Sequence, residues 1–177
     1  VAYSGDNGFV ASASFVSIEG NLSTVGIGGD NGDDVSTLTL GYNGDGFGGG
    51  LVIANHDGDN ANTTGYDTFG GGIYYTPESI PATISVAYDS QDPDTGADQN
   101  DWFVGVDYEV GPGTLSVAYN ETDVDGSSAL DQSGFEVSYT YALNDNMTIT
   151  PGYFTVEDTS ATGQDDSGVV VETVFSF

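Results

Sequence analysis

The residues with the most chemical potential in this chain are its aspartates. The stretch DPDTGADQND sets Asp92, Asp94 and Asp98 around a turn at Gly96, an oxygen-rich loop of the kind that holds a hard cation. Shorter clusters occur at Asp57/Asp59 and Asp123/Asp125, with others at Asp30/Asp33/Asp34 and Asp165/Asp166. They make Ca²⁺, or another divalent cation, the expected ligand, with no cofactor required. No cluster matches the full EF-hand spacing, and the Ca²⁺-binding nonapeptide repeat is absent. The plainer reading is a set of solvated turns, which Asp, Asn and Gly favour for backbone reasons of their own. Diffuse screening by divalent ions is expected under either reading, because uncompensated acids repel one another at low salt.

Catalysis has little behind it. His56, in NHDGDN, is the sole histidine, and nothing in its spacing supplies the nucleophile and orienting acid that a triad needs. Carboxylates are so abundant that no one pair stands out as a glycosidase pair. The chain is expected not to be an enzyme.

Its composition explains the abundance. The 177 residues carry 28 Asp+Glu, no Lys or Arg and no Cys, for a formal charge of −28. Without cations there is no arginine fork for phosphate, no P-loop or Schiff-base lysine and no basic patch, so nucleic acid is excluded as a partner. Without cysteine there is no disulfide framework and no zinc–thiolate site. Disorder is disfavoured by 11 Tyr, 9 Phe and a Trp among dense Val and Ile.

The elements that position these acids are strands. Trp102, Val104, Val106, Tyr108 and Val110 share one parity, opposed by Phe103, Gly105, Asp107 and Glu109. Phe135, Val137, Tyr139, Tyr141 and Leu143 oppose Glu136, Ser138, Thr140 and Ala142 in the same way. The segments from Thr83 and from Thr114 repeat the pattern, one greasy face against one small or polar face. Short turns at SGDNG, NGDG, TPESIP, GPG and NDN alternate with long polar stretches, roughly 19–34, 56–65, 90–101, 121–133 and 157–167. A soluble sandwich has no reason to sort its loops so; an up-and-down outer-membrane barrel does. FGGGLVI at Phe47 recurs as FGGGIYY at Phe69, and ISVAYDSQD at Ile84 as LSVAYNETD at Leu115, at unequal offsets that exclude a solenoid.

Aromatics recur six residues apart on one parity, as in Phe9/Phe15, Phe69/Tyr75, Trp102/Tyr108 and Phe135/Tyr141. This spacing suggests two interfacial girdles, with Trp102, Tyr108, Phe135, Tyr141, Phe175 and Phe177 at the lipid interface. The competing reading is cross-strand aromatic pairing inside a β-sandwich. In a barrel, the opposite parity would turn Asp89, Asp107, Glu109, Glu136 and Glu172 toward the pore, and acid rings favour cations.

The last strand is the most specific feature: Val169, Val171, Thr173, Phe175 and Phe177 alternate up to a terminal Phe. With YALNDNMTITPGYFTVED before it, this region resembles a bacterial outer-membrane porin, especially the marine and cyanobacterial type, and its C-terminal portion in particular. The resemblance runs in style over about residues 35–177 and is sharp over the last 40 or so. It implies a β-barrel inserted by the outer-membrane assembly machinery, with passive diffusion of small hydrophilic solutes. General porins carry arginines and lysines on one barrel wall facing acids on a constriction loop. This chain has neither cation, so no such transverse field is expected.

Eleven strands are expected, near 1–3, 8–18, 35–42, 47–55, 66–75, 82–90, 102–110, 114–121, 134–142, 147–156 and 168–177. STVGIGG would make a twelfth at the expense of the loop alternation. Because barrels normally have an even strand count, the chain is expected to be the C-terminal part of a larger barrel, or to be completed by another chain. Val1 is no initiator Met, in keeping with processing or a longer parent.

The sequence therefore predicts an all-β, antiparallel up-and-down transmembrane barrel domain. It would act as a weakly cation-selective outer-membrane porin, with lipid and solutes as partners and assembly into homo-oligomers or with strands from the rest of a longer chain. The rival is an acidic, Ca²⁺-linked extracellular β-subunit of a fibre, sheath or surface layer. The absence of cations and the missing strand favour that rival.

Overall fold

The computed structural model describes residues 1–18, 33–60, 63–126, 130–158 and 165–176. Eleven strands form in chain order: β1 (Ala2–Ser4), β2 (Phe9–Ile18), β3 (Asp33–Gly44), β4 (Phe47–Asn60), β5 (Thr63–Tyr75), β6 (Ala82–Pro93), β7 (Gln99–Val110), β8 (Gly113–Val124), β9 (Gln132–Asn144), β10 (Met147–Asp158) and β11 (Asp166–Phe175). All eleven expected strands are present, and no helix forms among the described residues. They make one sheet in which every strand pairs antiparallel with its neighbours in sequence, from β1 to β11.

The short turns fall where expected. Gly8, Gly46 and Gly111 take φ of 84°, 79° and 61°, a left-handed geometry that residues with a Cβ rarely adopt. The opposite ends differ from expectation. Stretches expected as loops continue the ladder: β4 and β5 stay paired out to Asn60 and Thr63, and β6 pairs with β7 out to Gln91 and Gln99. Polar side chains do not end a hairpin whose backbone hydrogen bonds remain satisfied across it. STVGIGG lies outside the described residues.

Register gathers most of the large apolar side chains on one face. Leu40 lies opposite Leu51, Ile73 opposite Val86, Val106 opposite Val117, Val117 opposite Val137 and Pro151 opposite Val171. A slip of one residue would turn a strand's apolar set to the wrong face, so the pattern pins the pairing. The described residues form no second layer. Among the described residues Ala82 is the only buried apolar side chain, while Ile73 is 68% and Phe15 67% exposed on the apolar face. Removing a large apolar side chain from water is worth about 1.5–3 kcal/mol. A sheet with this many left uncovered needs an apolar solvent, and the sandwich reading fails for want of an opposing sheet.

Candidate functional site: an acidic wall

The apolar face carries two aromatic belts. Near the short turns are Phe9, Tyr42, Phe47, Tyr75, Tyr108, Tyr141 and Phe175; toward the long loops are Phe15, Phe69, Tyr88, Trp102, Tyr119, Phe135 and Tyr153. Ring centroids lie 4.9 Å apart for Phe9–Tyr42 and 4.5 Å for Tyr88–Trp102, cross-strand pairs that brace neighbouring strands. Trp102 is 50% exposed. Acids on this face sit level with the outer belt, as Glu121 does opposite Trp102, or beyond it, as Asp57, Asp67, Asp92 and Asp123 do, so the strip between the belts is uncharged. Trp102, Tyr108, Phe135, Tyr141 and Phe175 thus share the face expected of them; Phe177 lies outside the described residues.

The other face carries Asp89, Asp107, Glu109, Glu136 and Glu172 together, as their parity predicts. It is lopsided. Across β3–β5 the wall is small, with Gly41 opposite Gly50 and Gly50 opposite Gly72. Acids in the middle of strands begin at β6. Asp89 faces a carboxylate absent from the expected set, Asp101, directly across β6–β7. Asp101 accepts hydrogen bonds from Gln99 Nε2 at 2.8 Å and from the Thr122 hydroxyl. Asp107 accepts one from Ser116 Oγ at 2.6 Å. Asp101 escaped the sequence reading because it was assigned to a loop, although its parity matches Asp107.

Two aromatics on this face lie against glycines. A Cβ at Gly105 would meet the Phe103 ring at 2.8 Å, and one at Gly168 would meet the Phe154 ring at 2.9 Å. The missing side chains leave room for the tip of each ring. A groove of about 470 Å³ opens beside Gly50, Gly70, Ala87, Asp89, Asp101 and Phe103. A second, of about 210 Å³, lies toward Asp107, Ser116, Glu136 and Ser138, and Phe103 borders both.

Of the aspartates expected to bind metal, Asp92 and Asp98 approach one another, with Asp125 nearby. Asp94 caps the outer end of β5 by donating its amide to the Gly65 carbonyl at 2.8 Å. Asp57 is on the apolar face at the tip of β4, and Asp123 holds the matching place on β8. The side chain of Asp59 is outside the described residues. Among the described residues no group of three or more His, Asp or Glu converges as a metal site. His56 is half-buried and stacks on Tyr66 at 4.8 Å.

Repulsion from Asp92, then partial desolvation and the charge of Asp125, raise the Asp98 carboxyl above its ordinary 3.8. A raised carboxyl binds its proton more tightly in the folded hairpin. Its contribution to stability is therefore complete below 3.8 and is lost as pH rises through the folded value. The Asp125 amide, which donates to the Asp98 carbonyl at 2.9 Å, reports on this hairpin end. Its hydrogen-exchange protection factor should fall as pH rises above 3.8 and through the raised folded value. Asp98→Asn should make that fall smaller, the remainder coming from Asp123, which Asp131 and Asp125 also raise, and an unchanged pH response in that variant would refute the assignment.

A single sheet with an uncharged apolar strip between aromatic belts, and all its mid-strand charge on the other side, is the wall of a membrane β-barrel. Comparison with known proteins identifies which kind. The Gram-negative porin family model matches residues 1–175, and the chain belongs to that family, whose place is the outer membrane. The anion-selective porin of Comamonas acidovorans superposes with a TM-score of 0.81 at 16% identity, covering 99% of this chain and 58% of that one. A porin structure refined at 1.8 Å gives 0.77 at 15% identity, with 99% and 60% covered. The trimer form of OmpT from Vibrio cholerae gives 0.63 at 13% identity, with 97% and 60% covered. The chain thus spans about three-fifths of the length of these structures. No curated protein of known function matches the sequence significantly. The fibre or surface-layer reading gives way to the family match.

Proposed function

We propose that this chain forms the wall of a diffusion pore for small hydrophilic solutes, weakly selective for cations and without catalytic activity. The observation that carries it is the sign of the charge on the polar face. Asp89, Asp101, Asp107, Glu109, Glu136 and Glu172 lie there, and the sequence has no Lys or Arg to offset them. Fixed carboxylates along a pore raise the local concentration of cations and lower that of anions. The Comamonas porin, which is anion-selective, shares the fold, so selectivity of either sign must be written in the side chains rather than in the sheet. Divalent ions such as Ca²⁺ screen the outer acids, and a homo-oligomer is the assembly we infer, a trimer being known for OmpT.

The test is a reversal potential across planar bilayers in a KCl gradient. The sign should show K⁺ preferred over Cl⁻, and the preference should shrink as salt shortens the Debye length from about 10 Å at 0.1 M to about 3 Å at 1 M. A potential of anion-selective sign would overturn the proposal.

A further inference from the structure

We propose that the wall around Phe103 is a subsite for small organic cations, protonated alkylamines in particular. This deepens the pore reading above and rests on it. Four lumen-parity positions of β7 follow one another: Asp101, Phe103, Gly105 and Asp107. At about 3.4 Å per residue, Phe103 stands some 7 Å along the strand from Asp101 and some 14 Å from Asp107. Asp89 lies directly across from Asp101, and Glu136 lies on the row of Gly105, one strand beyond Ala118. Phe103 therefore sits between two carboxylate pairs and borders the groove that each pair lines.

The tip of the ring lies over Gly105, where no Cβ holds it off, and the residue keeps 39% of its surface exposed. An open aromatic face flanked by carboxylates attracts an ammonium group twice over, by charge and by the ring quadrupole. A short alkyl tail adds apolar contact that K⁺ cannot make. The neighbouring surface, Gly50, Gly70 and Ala87, is small and leaves room for that tail. Anions and neutral polar solutes gain none of these terms, so the subsite discriminates among cations, beyond the general preference for positive charge.

The probe is n-butylammonium, added to the full chain folded in non-ionic detergent micelles while KCl is withdrawn to keep ionic strength constant. The methylene proton resonances should shift upfield, as a ring face overhead requires, and saturate. Phe103→Leu should remove the shift and weaken apparent affinity roughly two- to fivefold, the range of an exposed cation–π contact. Phe103→Tyr should restore both. Gly105→Ala keeps the ring but puts a Cβ 2.8 Å from its tip, and should reduce the shift by tilting the ring away. Equal shifts in the native chain and in Phe103→Leu would overturn the subsite, as would butylammonium binding no better than K⁺. Those failures leave the pore reading intact if K⁺ is still preferred over Cl⁻ in bilayers; loss of that preference would defeat the pore reading itself.

Discussion

Trp102 should lose about half or more of its fluorescence when the protein is folded into bilayers of brominated lipid, with bromines near the headgroup quenching more than those near the chain ends. The residue is half exposed on the apolar face, in the outer aromatic belt, against Tyr88. Its row continues to Glu121, and the next row outward pairs Asn100 with Asp123, so polarity rises within two residues. That gradient belongs to an interface, not to a bilayer centre. The neighbouring position supplies the control. Moving the sole tryptophan by one residue, as Trp102→Phe with Phe103→Trp, carries it to the polar face. The shifted tryptophan should escape lipid bromine and respond to aqueous iodide or acrylamide instead. Equal quenching at the two positions would mean that the faces are not divided between lipid and water.

The second large effect lies in the middle of the strip. Val106 is flanked across the ladders by Ile84 and Val117, with no charge between the belts. An arginine on the lipid side near the bilayer midplane costs about 2–4 kcal/mol. Val106→Arg should therefore lower folding stability by about that much in vesicles titrated with urea. Ala118→Arg, on the polar face beside Glu136, should cost under about 1 kcal/mol, since the guanidinium stays hydrated and gains an acid neighbour. A larger loss at Ala118 than at Val106 would invert the assignment of the faces.

Much of this was legible in the residues. Parity alone placed Asp89, Asp107, Glu109, Glu136 and Glu172 on one face and the aromatics on the other, because a strand has a side-chain period of two and no packing choice can change it. Turn positions were equally readable, since Gly8, Gly46 and Gly111 mark left-handed geometry. The hairpin tips were not. Composition changes from apolar to polar where lipid ends, whereas the ladder ends only where backbone hydrogen bonding does, and on β6 and β7 the two boundaries differ by several residues. Asp101 fell into that gap. The seating of Phe103 on Gly105 also needed coordinates: sequence shows the pair two apart, but either rotamer of the ring is allowed on a strand.

The wiring of the sheet carries a consequence for how such a chain changes over time. Among the described residues each strand touches only its neighbours in sequence, and no contact joins strands farther apart. Such an object is close to one-dimensional, like a stacked repeat protein. A hairpin inserted or deleted needs to match only the two ladders it interrupts. The recurrence of SVAY at Ser85 and at Ser116, on β6 and β8, fits growth by copying pairs of strands. Substitutions several strands apart should combine additively, as on β3 and β9, whereas those at the β5–β6 border, where Gly70 faces Asp89, should couple. Pore chemistry is thus editable strand by strand, while the outward face stays under the single demand of the membrane.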